Sequence, residues 1–184
     1  PKDKPSYVNN FSCLYNFLKE FPFKSVNIIV MADNVSDETK EKLEKESSGL
    51  DIHYTSIGSS AGTFHNVFMD SLNLDDDTIV YFLENDYIHA PNSMNALFDG
   101  FDIGAHYVTL YDHPDKYISS YDYGEPTRVM KGNVCHWKMT ISTTMTFAAK
   151  VSTLTEDKDI WIENTGGSYP TDHKAFTQLR EKGR

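Results

Sequence analysis

The residues whose types and spacing could do chemistry fall in a few short stretches. In TIVYFLENDYIHAPNSM, Thr78 to Met94, an apolar run ends in Glu84, Asn85 and Asp86. Side chains two apart in an extended chain share a face, so Glu84 and Asp86 point the same way. Two neighbouring carboxylates repel, and a cation between them removes the repulsion. Hard oxygen donors in this arrangement suit Mg²⁺ or Mn²⁺, which takes one or two carboxylates and completes its shell with water and phosphate oxygens. The structural alternative is a solvated loop in which Asp86 caps the following helix.

Three further stretches belong with it. In MADNVSDET, Asp33 and Asn34 stand where a strand hands over to a helix, positioned to accept or donate hydrogen bonds to a nucleobase or ribose. Turn and cap chemistry uses the same residue types. In GSSAGTFHN, small residues around Ser60 precede a helix and could present backbone amides to phosphate. The stretch is neither a P-loop nor G-x-G-x-x-G, and a tight strand-to-helix connection explains it equally. In PTDHKAF, Asp172 could serve as a general base toward a hydroxyl within reach, and His173 as a metal ligand or hydrogen-bond partner. An N-cap Asp beside an exposed His is the alternative. DDD, Asp75 to Asp77, precedes a strand rather than following one and reads as a solvated turn, and His89 reads as structural.

Periodicity places these stretches. NFSCLYNFLKEFPF has helical spacing with Asn10 or Ser12 as cap and Pro22 as stop; SVNIIVMAD is a short β-branched strand. SDETKEKLEKESSG reads as a surface helix capped by Ser36 or Asp37, LDIHYTSI as a strand and TFHNVFMDSLNL as an amphipathic helix. IVYFLEN is the next strand, APNSMNALFDGF a helix with Pro91 near its start, and AHYVTLYD another strand. A loop rich in Tyr, Asp, Pro and Gly spans Asp112 to Thr127. TRVMKGN and VCHWKMTISTTMTFAAK look like an antiparallel pair, and two helical segments end the chain. Alternating strand and helix predicts an α/β fold with a mostly parallel central sheet flanked by helices. In such sheets ligands bind beyond the carboxyl ends of the strands, where Asp33, Glu84, Asp86 and Asp112 fall.

Composition bounds the function. The 27 acids against 17 Lys plus Arg give a formal charge of -10, which argues against a nucleic-acid partner. A phosphorylated small molecule stays compatible, because a local cation can supply positive charge. Hydrophobic content of 39% is that of a folded globular chain. Cys13 and Cys135 match no metal-ligand spacing and read as reduced thiols, a cytoplasmic pattern. No apolar run approaches the ~20 residues of a membrane span.

Together these stretches resemble the nucleotide-sugar glycosyltransferases of the GT-A fold, especially the inverting family 2. ADNVSDET resembles that family's DDxSxDxT at Asp33, Asn34, Ser36, Asp37 and Thr39, and FLENDYIHAP resembles its D-x-D signature, with Glu84 in the first acidic position and Asp86 in the last. PTDHKAF offers Asp172 in place of the family's ED base, with TD here, and the family's first strand has no counterpart before Pro1. The resemblance covers Ser25 to Phe176 and implies one domain over residues 1–184, with truncation at either end left open, folded as a Rossmann-like three-layer sandwich. It implies a nucleoside-diphosphate sugar donor held by Asp33, Asn34, Ser60, Glu84 and Asn85. Mn²⁺ or Mg²⁺ would sit on Asp86 and Glu84 with His173, and Asp172 would be the base. The acceptor would be a carbohydrate, lipid-linked or protein hydroxyl, with His136, Trp137 and Ser142 to Thr144 from the region that lines its side, although an aromatic such as Trp137 is more often a core-packing residue. A sugar nucleotidyltransferase and a non-catalytic nucleotide- or carbohydrate-binding module are the alternatives.

Overall fold

A computed structural model describes residues 5, 7–46, 49–117 and 128–184. The expected loop Asp112 to Thr127 is thus described only as far as Tyr117. Helix α1 (Asn10–Glu20) opens on a reciprocal cap. The Asn9 side chain accepts from the Phe11 and Ser12 amides, and Ser12 Oγ accepts from the Asn9 amide. These contacts satisfy amides that the first helical turn leaves without partners. Then come β1 (Ile29–Asp33), α2 (Asp37–Glu46), β2 (Asp51–Thr55), α3 (Ser60–Ser71), β3 (Ile79–Phe82), α4 (Ser93–Asp102) and β4 (Tyr107–Val108). A 3-10 turn, Pro114–Tyr117, leads to β5 (Val129–Lys131), β6 (His136–Lys138), β7 (Phe147–Lys150), α5 (Val151–Glu156), α6 (Lys158–Asn164) and α7 (Asp172–Glu181).

The chain is α/β, but a mostly parallel Rossmann-like sheet does not form. Strands β1 and β2 pair in parallel, Ala32 opposite Tyr54, and no other parallel ladder exists among the described residues. Strand β3 does not extend that ladder. Instead β7 lies between β3 and β4 and runs antiparallel to both, with Phe82 opposite Phe147 and Val108 opposite Ala148. The GT-A three-layer sandwich expected on a continuous parallel sheet is therefore not this architecture. The physical reason lies in FAAK, Phe147 to Lys150. Successive strand residues face opposite sides, and here both sides are small or apolar, so the segment fits a central position between two longer-range partners. An apolar run signals burial, but it does not identify the strand beside it.

Two cores cover the two faces of this three-stranded sheet. Phe147 and Ala149 join Phe82, Phe68, Leu154, Trp161, Phe176 and Leu179 on one side, beneath α3, α6 and α7. The Phe147 and Trp161 rings stack with centroids 4.6 Å apart. Ala148 faces the other side with Phe21, Leu97 and Val108, beneath α1 and α4. The β5–β6 hairpin hangs from α4 through the buried Asp99, which accepts from the Trp137 indole at 2.8 Å and the Asn133 amide at 2.6 Å. A Cβ on Gly132 would meet Asp99 Oδ2 at 1.9 Å, so this approach requires glycine. Trp137 is thus a packing residue of this anchor. No disulfide joins Cys13 and Cys135, and no helix among the described residues is long and apolar enough to cross a membrane.

Candidate functional site

Strand β3 ends at Phe82, and the chain leaves the sheet with its carboxylates. Glu84 and Asn85 are exposed, while Asp86 and Tyr87 are half-buried, with Asp86 Oδ1 closed off from solvent. The Tyr87 hydroxyl lies in hydrogen-bond contact with Thr144 Oγ1. Burial pushes the Tyr87 phenol up to about 12; the bond to Thr144 opposes that rise, and the charges of Asp86 and Glu84 add to it. Tyr87 therefore keeps its proton near neutral pH. Its ring meets Tyr111 edge-on at 5.6 Å, and Lys116 Nζ lies 5.0 Å from the Tyr111 centroid. That ammonium donates to Thr140 Oγ1 at 2.7 Å and to the Ser142 carbonyl, tying this wall to the turn ahead of β7.

The same turn holds Asp172 of α7. Asp172 opens α7, and its Oδ2 accepts from the Thr144 amide at 2.7 Å, the Thr143 amide at 2.9 Å and the Thr143 hydroxyl at 3.5 Å. Consecutive amides converging on one oxygen form an anion-binding concavity. The geometry needs left-handed backbone at Thr144 (φ 47) and Met145 (φ 57). For non-glycine residues that conformation costs about 1–3 kcal/mol each and persists only where surrounding contacts impose it. Asp172 Oδ1 makes no hydrogen bond to the protein among the described residues. One oxygen is therefore pinned and the other is left for another partner. The structure thus joins the acidic stretch after β3 to PTDHKAF through Tyr87 and Thr144.

At the end of β1 the carboxylate is differently employed. Asp33 Oδ1 accepts from the Ile57 amide at 2.6 Å and the Thr55 hydroxyl at 2.9 Å, while Oδ2 accepts from the Gly58 amide at 2.9 Å. The bond from Ile57 leads the causes that hold the Asp33 carboxyl below its ordinary value. Asp33 closes the β2–α3 connection. Asn34 is left-handed (φ 50) and exposed beside it, at a crevice of about 260 Å³ whose walls include Lys40, Tyr54 and Ser56. Ser59, not Ser60, caps α3, and Ser60 is exposed in its first turn. A larger hollow of about 560 Å³ lies at the opposite end of β1, against Phe23, Val26 and Gly49, away from Glu84, Asp86 and Asp172.

Among the described residues no group of three His, Cys, Asp or Glu gathers to hold a metal. His173 lies in the first turn of α7, directly after Asp172. Two hard carboxylates nevertheless fit Mg²⁺ or Mn²⁺ whose remaining ligands are water and phosphate. Tyr87 and Lys116 escaped the sequence reading. The one signal for Tyr87 was its position directly after Asp86, because its partner Thr144 is remote in sequence. Comparison with protein-family models, curated proteins and solved structures finds no match.

Proposed function

We propose that this chain is a metal-dependent glycosyltransferase moving a sugar from a nucleoside-diphosphate sugar to an acceptor hydroxyl with inversion. The observation that carries the reading is the pairing of a half-pinned Asp172 with the Glu84–Asp86 turn through Tyr87 and Thr144. Inverting transfer needs carboxylates in two roles near one another. Asp86 and Glu84 would hold the divalent cation, which supplies charge neutralisation for the departing diphosphate when bound. Asp172 Oδ1 takes the acceptor proton as the acceptor oxygen attacks the anomeric carbon, while Oδ2 stays bonded to the turn and fixes the carboxylate plane. Asn34, exposed at the β1 crevice, and Ser60, exposed in the first turn of α3, offer hydrogen bonds to the nucleoside.

Calorimetric titration with UDP, GDP and dTDP, each with and without Mn²⁺, tests the reading together with diphosphate release from the matching sugar nucleotides. Mn²⁺-dependent binding of one diphosphate and turnover of its sugar nucleotide are expected. Absence of binding with Mn²⁺ present overturns the reading.

A further inference from the structure

We propose that Tyr87 is a positioning residue for Asp172 and acts through the left-handed turn at Thr143–Met145; this rests on the glycosyl-transfer reading of the same site. The direction of each bond follows from proton counting. Thr144 has one hydroxyl proton, and it goes to the Thr143 carbonyl at 2.7 Å. Thr144 Oγ1 is therefore an acceptor toward Tyr87, whose hydroxyl donates its one proton across this contact. The backbone of the same residue donates to Asp172 Oδ2 at 2.7 Å. Thr144 thus has its side chain held by the acidic turn and its amide holding the base.

The backbone explains why a second support is needed. A β-branched residue does not adopt φ 47 on its own preference, and Met145 at φ 57 repeats the demand. Relaxation of Thr144 toward negative φ would swing its amide off Oδ2 and leave the Asp172 carboxylate held by Thr143 alone, with its plane less fixed. The Tyr87 hydroxyl bonds Thr144 in the arrangement that keeps the amide aimed. Because Tyr87 follows Asp86 directly, the cation-binding turn and the base are held in one register. A reacting oxygen misplaced by about 1 Å can cost two orders of magnitude in rate, so a contact that only aims Asp172 carries a kinetic signature.

The test uses the intact chain and the variants Tyr87→Phe and Thr144→Val, which delete the donor and the acceptor of the one hydrogen bond while keeping ring and branched shape. Two readouts are taken. In ¹H–¹⁵N spectra, Asp172→Asn identifies the Thr143 and Thr144 amides by their shifts, and Tyr87→Phe is expected to move the same two amides. In turnover with Mn²⁺ and UDP-glucose, UDP-N-acetylglucosamine, GDP-mannose or dTDP-rhamnose, each variant should lose about tenfold in kcat with donor KM within twofold. The double variant should lose no more than either single one, because both remove one coupling. Unmoved amides in Tyr87→Phe, or losses that multiply in the double variant, overturn the proposal. Should wild-type protein turn over none of the donors, the glycosyl-transfer reading falls, and the amide shifts by themselves decide whether Tyr87 aims Asp172. A variant that fails to fold leaves its counterpart on the other side of the bond to give the answer.

Discussion

The acids at the end of β1 and past β3 are used in opposite ways. At the end of β1 both oxygens of Asp33 accept from the protein itself, from the Ile57 and Gly58 amides and the Thr55 hydroxyl. Beyond β3, Glu84 is exposed and Asp86 half-buried, and nearby Asp172 has one oxygen bound to a turn and the other without a protein donor among the described residues. A carboxylate whose two oxygens both accept from the protein is a structural clasp; one held by a single oxygen leaves the other for a further partner. Sequence position at a strand end does not separate the cases. The donors that surround the carboxylate do.

The contrast can be broken most directly by paired substitutions. Asp172→Asn should lower kcat by about 10²- to 10⁴-fold, the range for loss of a general base, with diphosphate binding retained in calorimetry. Asp33→Asn should do the reverse, keeping kcat within severalfold while lowering Tm by several degrees in a thermal melt. Equal kinetic losses in the two variants would erase the distinction. Next in size is the cation. Asp86→Ala should abolish the tightening of UDP, GDP or dTDP binding by Mn²⁺, and EDTA should have the same effect on wild-type protein, whereas Asp33→Asn should keep it. An Asp86→Ala protein still tightened by Mn²⁺ would move the cation elsewhere.

The smallest expected effects are in pH dependence. Asp33 has a folded pKa below its ordinary value of 3.8, so its contribution is complete above that value and fades as pH falls below it. Denaturation midpoints of wild type and Asp33→Asn should therefore converge only under strongly acidic conditions. His89, a few residues past the acidic turn, supplies a second and milder slope. It is buried between Phe17 and Phe21, its Nε2 contacts the Tyr81 hydroxyl at 3.0 Å, and its backbone forms a reciprocal pair with the Asn16 side chain. Its Nδ1 is buried with no hydrogen-bond partner among the described residues, and burial holds its pKa below 6.5, against the opposing charge of Glu20. A base whose folded pKa is depressed gives stability that is whole above the unfolded pKa and declines as pH falls through the window beneath it. Wild-type Tm should thus drop as pH is lowered below about 6.5, and His89→Gln should flatten that slope. An unchanged slope would remove His89 from the account.

Local features of the fold were readable because their causes are local. The order of strand and helix from α1 to β4 follows from side-chain period and caps. Ser36 accepts from the Thr39 amide at 3.2 Å just where a cap was expected, and α1 ends before Pro22. The sheet was misread for the opposite reason. FAAK has the composition of a buried strand, yet its insertion between β3 and β4 depends on residues far away in the chain that fit its two faces. The site divides along the same line. Glu84, Asp86 and Asp172 stood out by type and place, while Tyr87 and the left-handed Thr144 acquire meaning only from each other, 57 residues apart.

Sequence by itself determined where charge meets apolar strand and which segments coil or extend. Tertiary structure decided which strand lies beside which, which carboxylate closes a loop, and which keeps an oxygen without a protein donor. The division has one physical origin. Helix caps and side-chain period are set by contacts within a few residues, whereas strand partners and the hydrogen bonds of a carboxylate are set by groups that only chain folding brings together.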